Sequence, residues 1–312
     1  GLIVFSFMTL TLTGLYTAQG DSKTPFIANL VGLATNMVLD PVLILGVGSF
    51  PKLGVVGAAI ATVISQAVGA LWILRFLTGK KTILRLKKEN LRLERNIIGP
   101  CLGLGISTFV MLSTESILSM SFTSSLAKFG GDLAVGAMTI ITSTSQLILM
   151  PLQGICQGGQ PIISFNYGAK NNERVKKAFF IQLKVCVIFT CISWLIMMLV
   201  PQIFAGMFTA DKELVKYTAW ALRIYMAGIF AMGFQICCQQ SFMALGQAKV
   251  SLFLACLRKL ILLIPLIFIL PVFMQDKVFA VFVAEPVSDI IAAAVTTIVF
   301  MAKFNGILEK KR

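Results

Sequence analysis

The chain alternates long apolar runs with short polar turns. Nine runs stand out, over residues 1–19, 25–46, 55–77, 99–126, 133–160, 175–200, 213–243, 250–273 and 278–303. A helix needs about 20 residues to cross the hydrocarbon core of a bilayer, and each run meets that length. Several are longer, and tilt or protruding ends would absorb the excess. Gly, Pro, Ser and Thr punctuate the runs, as they do where membrane helices pack closely. No segment shows the period-2 alternation of a membrane barrel. The pattern predicts an all-α polytopic membrane protein with nine transmembrane helices.

Composition agrees, and charge adds an orientation. Hydrophobic residues make up 57% of the chain, only 13% are charged, and the mean hydropathy is +0.88. A soluble protein of 312 residues cannot hide that much apolar surface. The net charge of +14 invites a nucleic-acid reading, but its distribution follows the spans. Nine alternating crossings put the turns at 20–24, 78–98, 161–177, 244–249 and the C-terminus on one side. With adjoining helix ends, those regions carry 20 of the 27 Lys and Arg. The opposite turns carry five (Lys52, Lys128, Lys212, Lys216 and Lys277), and Lys184 and Arg223 fall within helices. The richer side is cytoplasmic by the positive-inside rule. No aromatic array accompanies these charges to stack bases, so the expected partner is the lipid bilayer and not nucleic acid. There is no His, and the seven Cys form no CxxC pair, which argues against zinc sites and disulfide frameworks. Proton coupling would have to use carboxylates.

The chain also echoes itself. Ala18-Gln19-Gly20-Asp21-Ser22-Lys23 and Ala244-Leu245-Gly246-Gln247-Ala248-Lys249 lie 226 residues apart, and each closes one apolar helix and opens another. Membrane transporters are often built from two related halves with the substrate path between them. If the second half begins near Gly99, equal halves need about three more spanning helices before Gly1. The expectation is a twelve-helix parent of which this chain holds the last nine. Residues 1–78 would complete an N-terminal lobe, 79–98 would form a basic cytoplasmic linker, and 99–312 would form a six-helix C-terminal lobe with a basic tail. Leu84, Leu91 and Ile98 recur every seven residues in the linker. It is either an amphipathic segment on the inner leaflet or a solvated connection.

Polar groups inside spans are costly and usually face a cavity or a partner. Asp40 follows Asn36 by four residues, so both share a helical face. One carboxylate with one amide oxygen suits a proton or a hard cation such as Na⁺, and Thr62 on the next helix could add a hydroxyl. Alternatively, Asp40 caps a backbone break before Pro41. Glu115 lies mid-span among Ser113, Thr114 and Ser116, where it could exchange a proton, meet a cationic drug, or hydrogen-bond a neighbouring helix. Glu285 and Asp289 are spaced i, i+4, so one should be protonated or paired, with Arg223 as a candidate partner. Thr139, Thr142, Gln146, Gln153, Gln157 and Gln160 form one stripe that either lines a water-filled path or glues helices. Gln235 and Gln239 repeat it more weakly. Their helix carries Tyr225, Met226, Phe230, Met232 and Phe234, an adaptable pocket or ordinary packing.

Four ordered motifs carry a resemblance: TAQGDSKTPF at 17–26, NMVLDPVLI at 36–44, GVVGAAIATVISQ at 54–66 and GQPIISFNYGAKNNERVKKAF at 159–179. Together they resemble the MATE (multidrug and toxic compound extrusion) family, in its branch of bacterial drug exporters. The last motif resembles the family's loop after helix 8. The resemblance implies a twelve-helix, two-lobe exporter in the bacterial plasma membrane, monomeric and without a cofactor. It would expel small organic cations in exchange for H⁺ or Na⁺. In some members a cation site uses an Asp on helix 1, an Asn and an Asp on helix 5 and a Thr on helix 6. Asn36, Asp40 and Thr62 match the last three, and the first has no counterpart here. Others pair a Glu on helix 7 with an Asp on helix 10. Glu115 matches the Glu, but only Gln235 and Gln239 stand near the second position, which favours H⁺.

The expected activity is therefore secondary antiport. A lipid-intermediate or polysaccharide flippase is the alternative. It should line its cleft with cations, and only Lys184 and Arg223 are read as lying inside spans. An enzyme would need a nucleophile–base pair or a metal site, and neither pattern is present. The charge asymmetry makes a direct prediction. In a cysteine-free background in intact cells, a cysteine replacing Lys52 should react with an impermeant maleimide, and one replacing Lys80 should not. The reverse pattern would invert the topology.

Overall fold

The structure, a computed structural model, describes residues 2–18, 21, 23–46, 51–77 and 94–309. Most of the expected linker, part of the first echo motif (Gln19, Gly20 and Ser22) and the tail at 310–312 lie outside the described residues. The described elements are all helical. They fall into two compact units, Gly1–Glu94 and Arg95–Arg312.

The first unit contains α1 (Leu2–Ala18), α2 (Lys23–Leu45) and α3 (Val55–Leu77). Asp21 starts α2. Its carboxylate accepts from the Lys23 and Thr24 amides at 3.0 and 3.2 Å and from the Thr24 hydroxyl at 2.6 Å. Those bonds, the Thr24 hydroxyl foremost, hold the Asp21 carboxyl below its ordinary range, so the cap stays charged at neutral pH. α2 and α3 run antiparallel in close contact. A Cβ on Gly57 would lie 2.4 Å from the Leu43 carbonyl oxygen, so glycine is required at this crossing. Gly32 faces the Ser65 carbonyl and Gly69 faces that of Ala28, which fixes the register and sets Thr62 level with Asn36. A small core of Leu12, Tyr16, Ala28 and Ile73 ties in α1.

The second unit opens with α4 (Arg95–Gly168), a 74-residue element broken at Gly131. There φ is 65° and ψ is −161°, a conformation that essentially only glycine tolerates. The break separates a first arm, 95–130, from a second, 132–168. Next come α5 (Asn172–Leu199), α6 (Pro201–Gly206), α7 (Lys212–Tyr225), a 3₁₀ turn at Met226–Gly228 and α8 (Ile229–Ala244). The unit closes with α9 (Ala248–Cys256), a wide π turn at Leu257–Leu263, α10 (Ile264–Phe273) and α11 (Lys277–Glu309). Asn171, Asp211 and Asp276 accept amides at the starts of α5, α7 and α11, as short polar residues do at N-caps. The helix expected to stop at residue 160 continues to Gly168. Ser164 and Asn166 bond back to the Pro161 and Ile162 carbonyls there, so the expected loop is reduced to 169–171.

Seven helical stretches are long and apolar enough to cross a membrane. One of them, Leu112–Gly168, contains the Gly131 break and therefore serves as two crossings, while α1 contributes the shorter apolar segment Phe7–Tyr16. The described residues thus give the nine rods that the hydrophobic pattern predicts. In the second unit Phe179, Phe242, Phe300 and Phe304 stack with centroids 4.5–5.1 Å apart, joining α5, α8 and α11. The π turn has a local cause. Pro265 has no N–H for the Ile261 carbonyl and crowds it, and the helix widens so that the Ile264 amide bonds the Lys259 carbonyl five residues back.

The Gly131 break gives a stability prediction. Gly131→Ala should cost about 1–3 kcal/mol through backbone strain alone, because a Cβ there meets no other atom. Gly136→Ala, in regular helix with only Leu214 nearby at 3.6 Å, should be neutral or stabilising. Thermal unfolding of the two variants in detergent checks the contrast.

Candidate functional site

The second unit forms an open cavity of 760 Å³ between the two arms of α4 and the end of α7. The first arm supplies Glu115, Ser116, Ser119, Phe122 and Thr123, and the second supplies Thr139, Thr142, Ser143, Gln146 and Gln153. Tyr225 closes one wall, its ring 5.7 Å from that of Phe122. The hydroxyls of Thr139, Thr142 and Ser143 donate to carbonyls one turn back, at 3.1, 2.8 and 3.0 Å. Their protons are therefore committed to backbone, and their lone pairs remain to meet a guest. With the carboxylate, this makes a wall rich in acceptors. The glutamine stripe thus lines the cavity at Gln146 and Gln153. Gln157 is exposed one turn further on and is not part of the lining.

Two ion-pair systems stand beside the cavity. The Glu115 side chain is 58% exposed, and its Oε1 accepts from Lys259 Nζ, which belongs to the π turn. The adjacent Arg258 donates from Nε to Asp289 at 2.8 Å and from a terminal nitrogen to Glu285 at 2.9 Å. Glu285 and Asp289 are buried on one face of α11, and the second oxygen of Glu285 has no hydrogen-bond partner among the described residues. The expected partner, Arg223, is elsewhere. It is exposed, and its Nε donates to the Met198 carbonyl at 3.1 Å. A helical step explains the difference. Arg258 reaches both acids, which are one turn apart, because its planar fork spans the i, i+4 spacing.

The remaining candidates divide. Asn36 donates from its amide to Asp40 at 3.4 Å, and both are half-buried on α2. α2 continues through Pro41 to Leu45, so Asp40 does not cap a break. The Thr62 hydroxyl donates to the Ala58 carbonyl at 2.9 Å and keeps its lone pairs. Gln235 and Gln239, expected along the path, are buried among packed helices, and neither lines the cavity. Gln235 Oε1 has no hydrogen-bond partner among the described residues. Among the described residues, no cluster of three or more His, Cys, Asp or Glu is arranged to hold a metal ion.

Sequence reasoning missed Arg258 and Lys259, counting them as the basic end of a helix. They lie ten and eleven residues into the helical rod that starts at Ala248, about 15 Å along its axis. The signal was present: an Arg-Lys pair inside an apolar run is expensive unless acids meet it.

Residues 107–269, just over half of the chain, match the MatE family model, and residues 1–123 match that of the lipid II flippase MurJ. The multidrug export protein MepA of Staphylococcus aureus (strain NCTC 8325 / PS 47) is 25% identical over 268 residues, covering 85% of this chain and 57% of MepA. The chain thus spans a little over half the length of these relatives. A crystal structure of MATE in complex with MaL6 superposes with a TM-score of 0.90 at 23% identity, covering 100% of this chain and 68% of that one. An outward-facing multidrug resistance MATE transporter of the MOP superfamily gives 0.91 at 22% identity, covering 98% and 68%. These likenesses establish the fold, and the bacterial relatives and membrane-spanning helices make this a multi-pass protein of the bacterial plasma membrane. With its helical architecture and a family match that takes in the Gly131 break, the cavity lining and the wide turn, the chain belongs to the MatE family.

Proposed function

We propose that this chain is part of a secondary antiporter that exports lipophilic or cationic small molecules in exchange for H⁺ or Na⁺. The observation that carries the reading is the acceptor-lined cavity with one exposed carboxylate, Glu115. Apolar and aromatic groups (Phe122, Met138, Tyr225) would pack a lipophilic body while Glu115 meets its positive charge. Lys259 is the counter-charge that Glu115 holds within the protein, and an entering cation would compete with it for the exposed carboxylate. Asp40 with Asn36 carries the coupling ion, which binds on one side of the membrane and leaves on the other as the transporter alternates its access. Na⁺ would use the Asp40 carboxylate, the Asn36 carbonyl and the Thr62 oxygen, and H⁺ would need the carboxylate alone.

The match of residues 1–123 to the MurJ family model raises the flippase reading again, as do two cations inside a span. Charge balance weighs against it. Glu115, Glu285 and Asp289 supply −3 and Arg258 and Lys259 supply +2, so the cluster is formally −1. A pyrophosphate would find both cations already taken by carboxylates.

Two measurements test the proposal. Asp40→Asn should abolish dye efflux driven by an imposed H⁺ or Na⁺ gradient in proteoliposomes, and wild-type flux from that variant would remove Asp40 from the coupling site. Glu115→Gln should weaken tetraphenylphosphonium binding by about tenfold to a hundredfold, or about 1.4–2.8 kcal/mol. Lys259→Met should tighten it by about three- to tenfold in the wild-type background and leave it unchanged in Glu115→Gln. Equal binding by all four proteins in calorimetry would rule the cavity out as the cation site.

A further inference from the structure

On the opposite face of the second arm of α4, a groove of 480 Å³ runs between that arm and α5. Its floor is mostly apolar, with Ile155, Ile162, Ile181 and Val185 around one buried amide, Gln182, and Gly158 leaves the space above it open. Arg174, Lys177 and Asn166 form the rim at one end. The cavity residues Gln146 and Gln153 and the groove residues Gly159, Ile162 and Asn166 are separated by about 180° around the helix. The groove therefore lies on the outer side of the arm. The adjoining face of α5 is a continuous apolar strip, with Ile181, Val185, Ile188 and Ile192 all exposed. Such a strip belongs against hydrocarbon in a membrane-spanning helix.

We infer that this groove is a binding site for one anionic phospholipid of the cytoplasmic leaflet. The phosphate would sit at Arg174 and Lys177, and an acyl chain would lie along the floor. Three features select that ligand. The rim is on the basic side of the protein, and residues 170–177 hold Lys170, Arg174, Lys176 and Lys177 against Glu173, a balance of +4 − 1 = +3. From Arg174 to Val185 the helix rises about 16 Å, which matches one leaflet's half of the roughly 30 Å hydrocarbon core. The charge and the apolar floor adjoin end to end, the order in which a phospholipid presents head and tail. Basic pockets between membrane helices on the cytoplasmic side are a recurrent form of such sites. A free phosphate would use only the rim, and a neutral lipid only the floor.

Native mass spectrometry of the protein released from nanodiscs tests the site, comparing phosphatidylglycerol with phosphatidylcholine as the retained lipid. The wild type should retain phosphatidylglycerol about tenfold more strongly, from two basic contacts near the membrane surface. Arg174→Gln/Lys177→Gln should bring the two lipids to parity. Gly158→Leu, which fills the groove but leaves the rim intact, should reduce phosphatidylglycerol retention by about tenfold. Ile162→Trp, at an exposed position, repeats the groove-filling test if Gly158→Leu does not fold. Excess inorganic phosphate should not displace the lipid. The inference is overturned if the groove-filling variants that fold retain phosphatidylglycerol like the wild type. It is also overturned if the double charge variant keeps its preference, or if inorganic phosphate displaces the lipid.

Discussion

Neutralising charge inside a membrane protein governs how the C-terminal unit is organised. Arg258 and Lys259 sit deep in an apolar rod, where an unpaired cation would be prohibitive. Each is met by acids from a different helix: Arg258 by Glu285 and Asp289 of α11, and Lys259 by Glu115 of the first arm of α4. Two adjacent residues thus tie their own helical rod to α11, the next in the chain, and to the first arm of α4, 144 residues away. The Arg258 pairs are buried on both sides and serve as a fixed anchor. The Lys259 pair has one exposed partner, so water or a guest can compete for the carboxylate at lower cost. This difference in burial separates a structural pairing from one that can exchange.

The backbone irregularities serve that arrangement. Gly131 breaks the longest helix and lets its two arms face each other across the cavity. Pro265 forces the wide turn that carries both cations. Neither feature belongs to a regular helix, and both lie within a few turns of the charged groups. The rods around them are held by apolar packing, above all the phenylalanine stack joining α5, α8 and α11, which leaves the irregular segments free to be shaped by local chemistry.

The second arm of α4 has two unlike faces. One carries hydroxyls whose protons are committed to the backbone, which makes the cavity a collection of acceptors. The other carries glycine and isoleucine beside the basic start of α5. The helix is thus polar towards the cavity and grooved and apolar on the other side, about 10 Å away across its own width.

The helical class and the nine rods were legible in the residues, because lipid leaves the backbone no partner but itself and apolar length then reports each crossing. The pairing of Asn36 with Asp40 and the lining roles of Gln146 and Gln153 were legible for a similar reason: i, i+4 and i, i+7 spacings are properties of one helix. Partners on different helices were not. Arg223 seemed the natural companion of Glu285 and Asp289, and the fold chose Arg258. Gln235 and Gln239 carried the same local pattern as the cavity glutamines, yet helix packing buried them. By itself the sequence determined which segments cross the membrane and which residues share a face. Which faces meet was decided only in the tertiary structure, because that choice depends on the crossing of separate rods, with paired charges 27 to 144 residues apart, and on matching each buried charge to an opposite one.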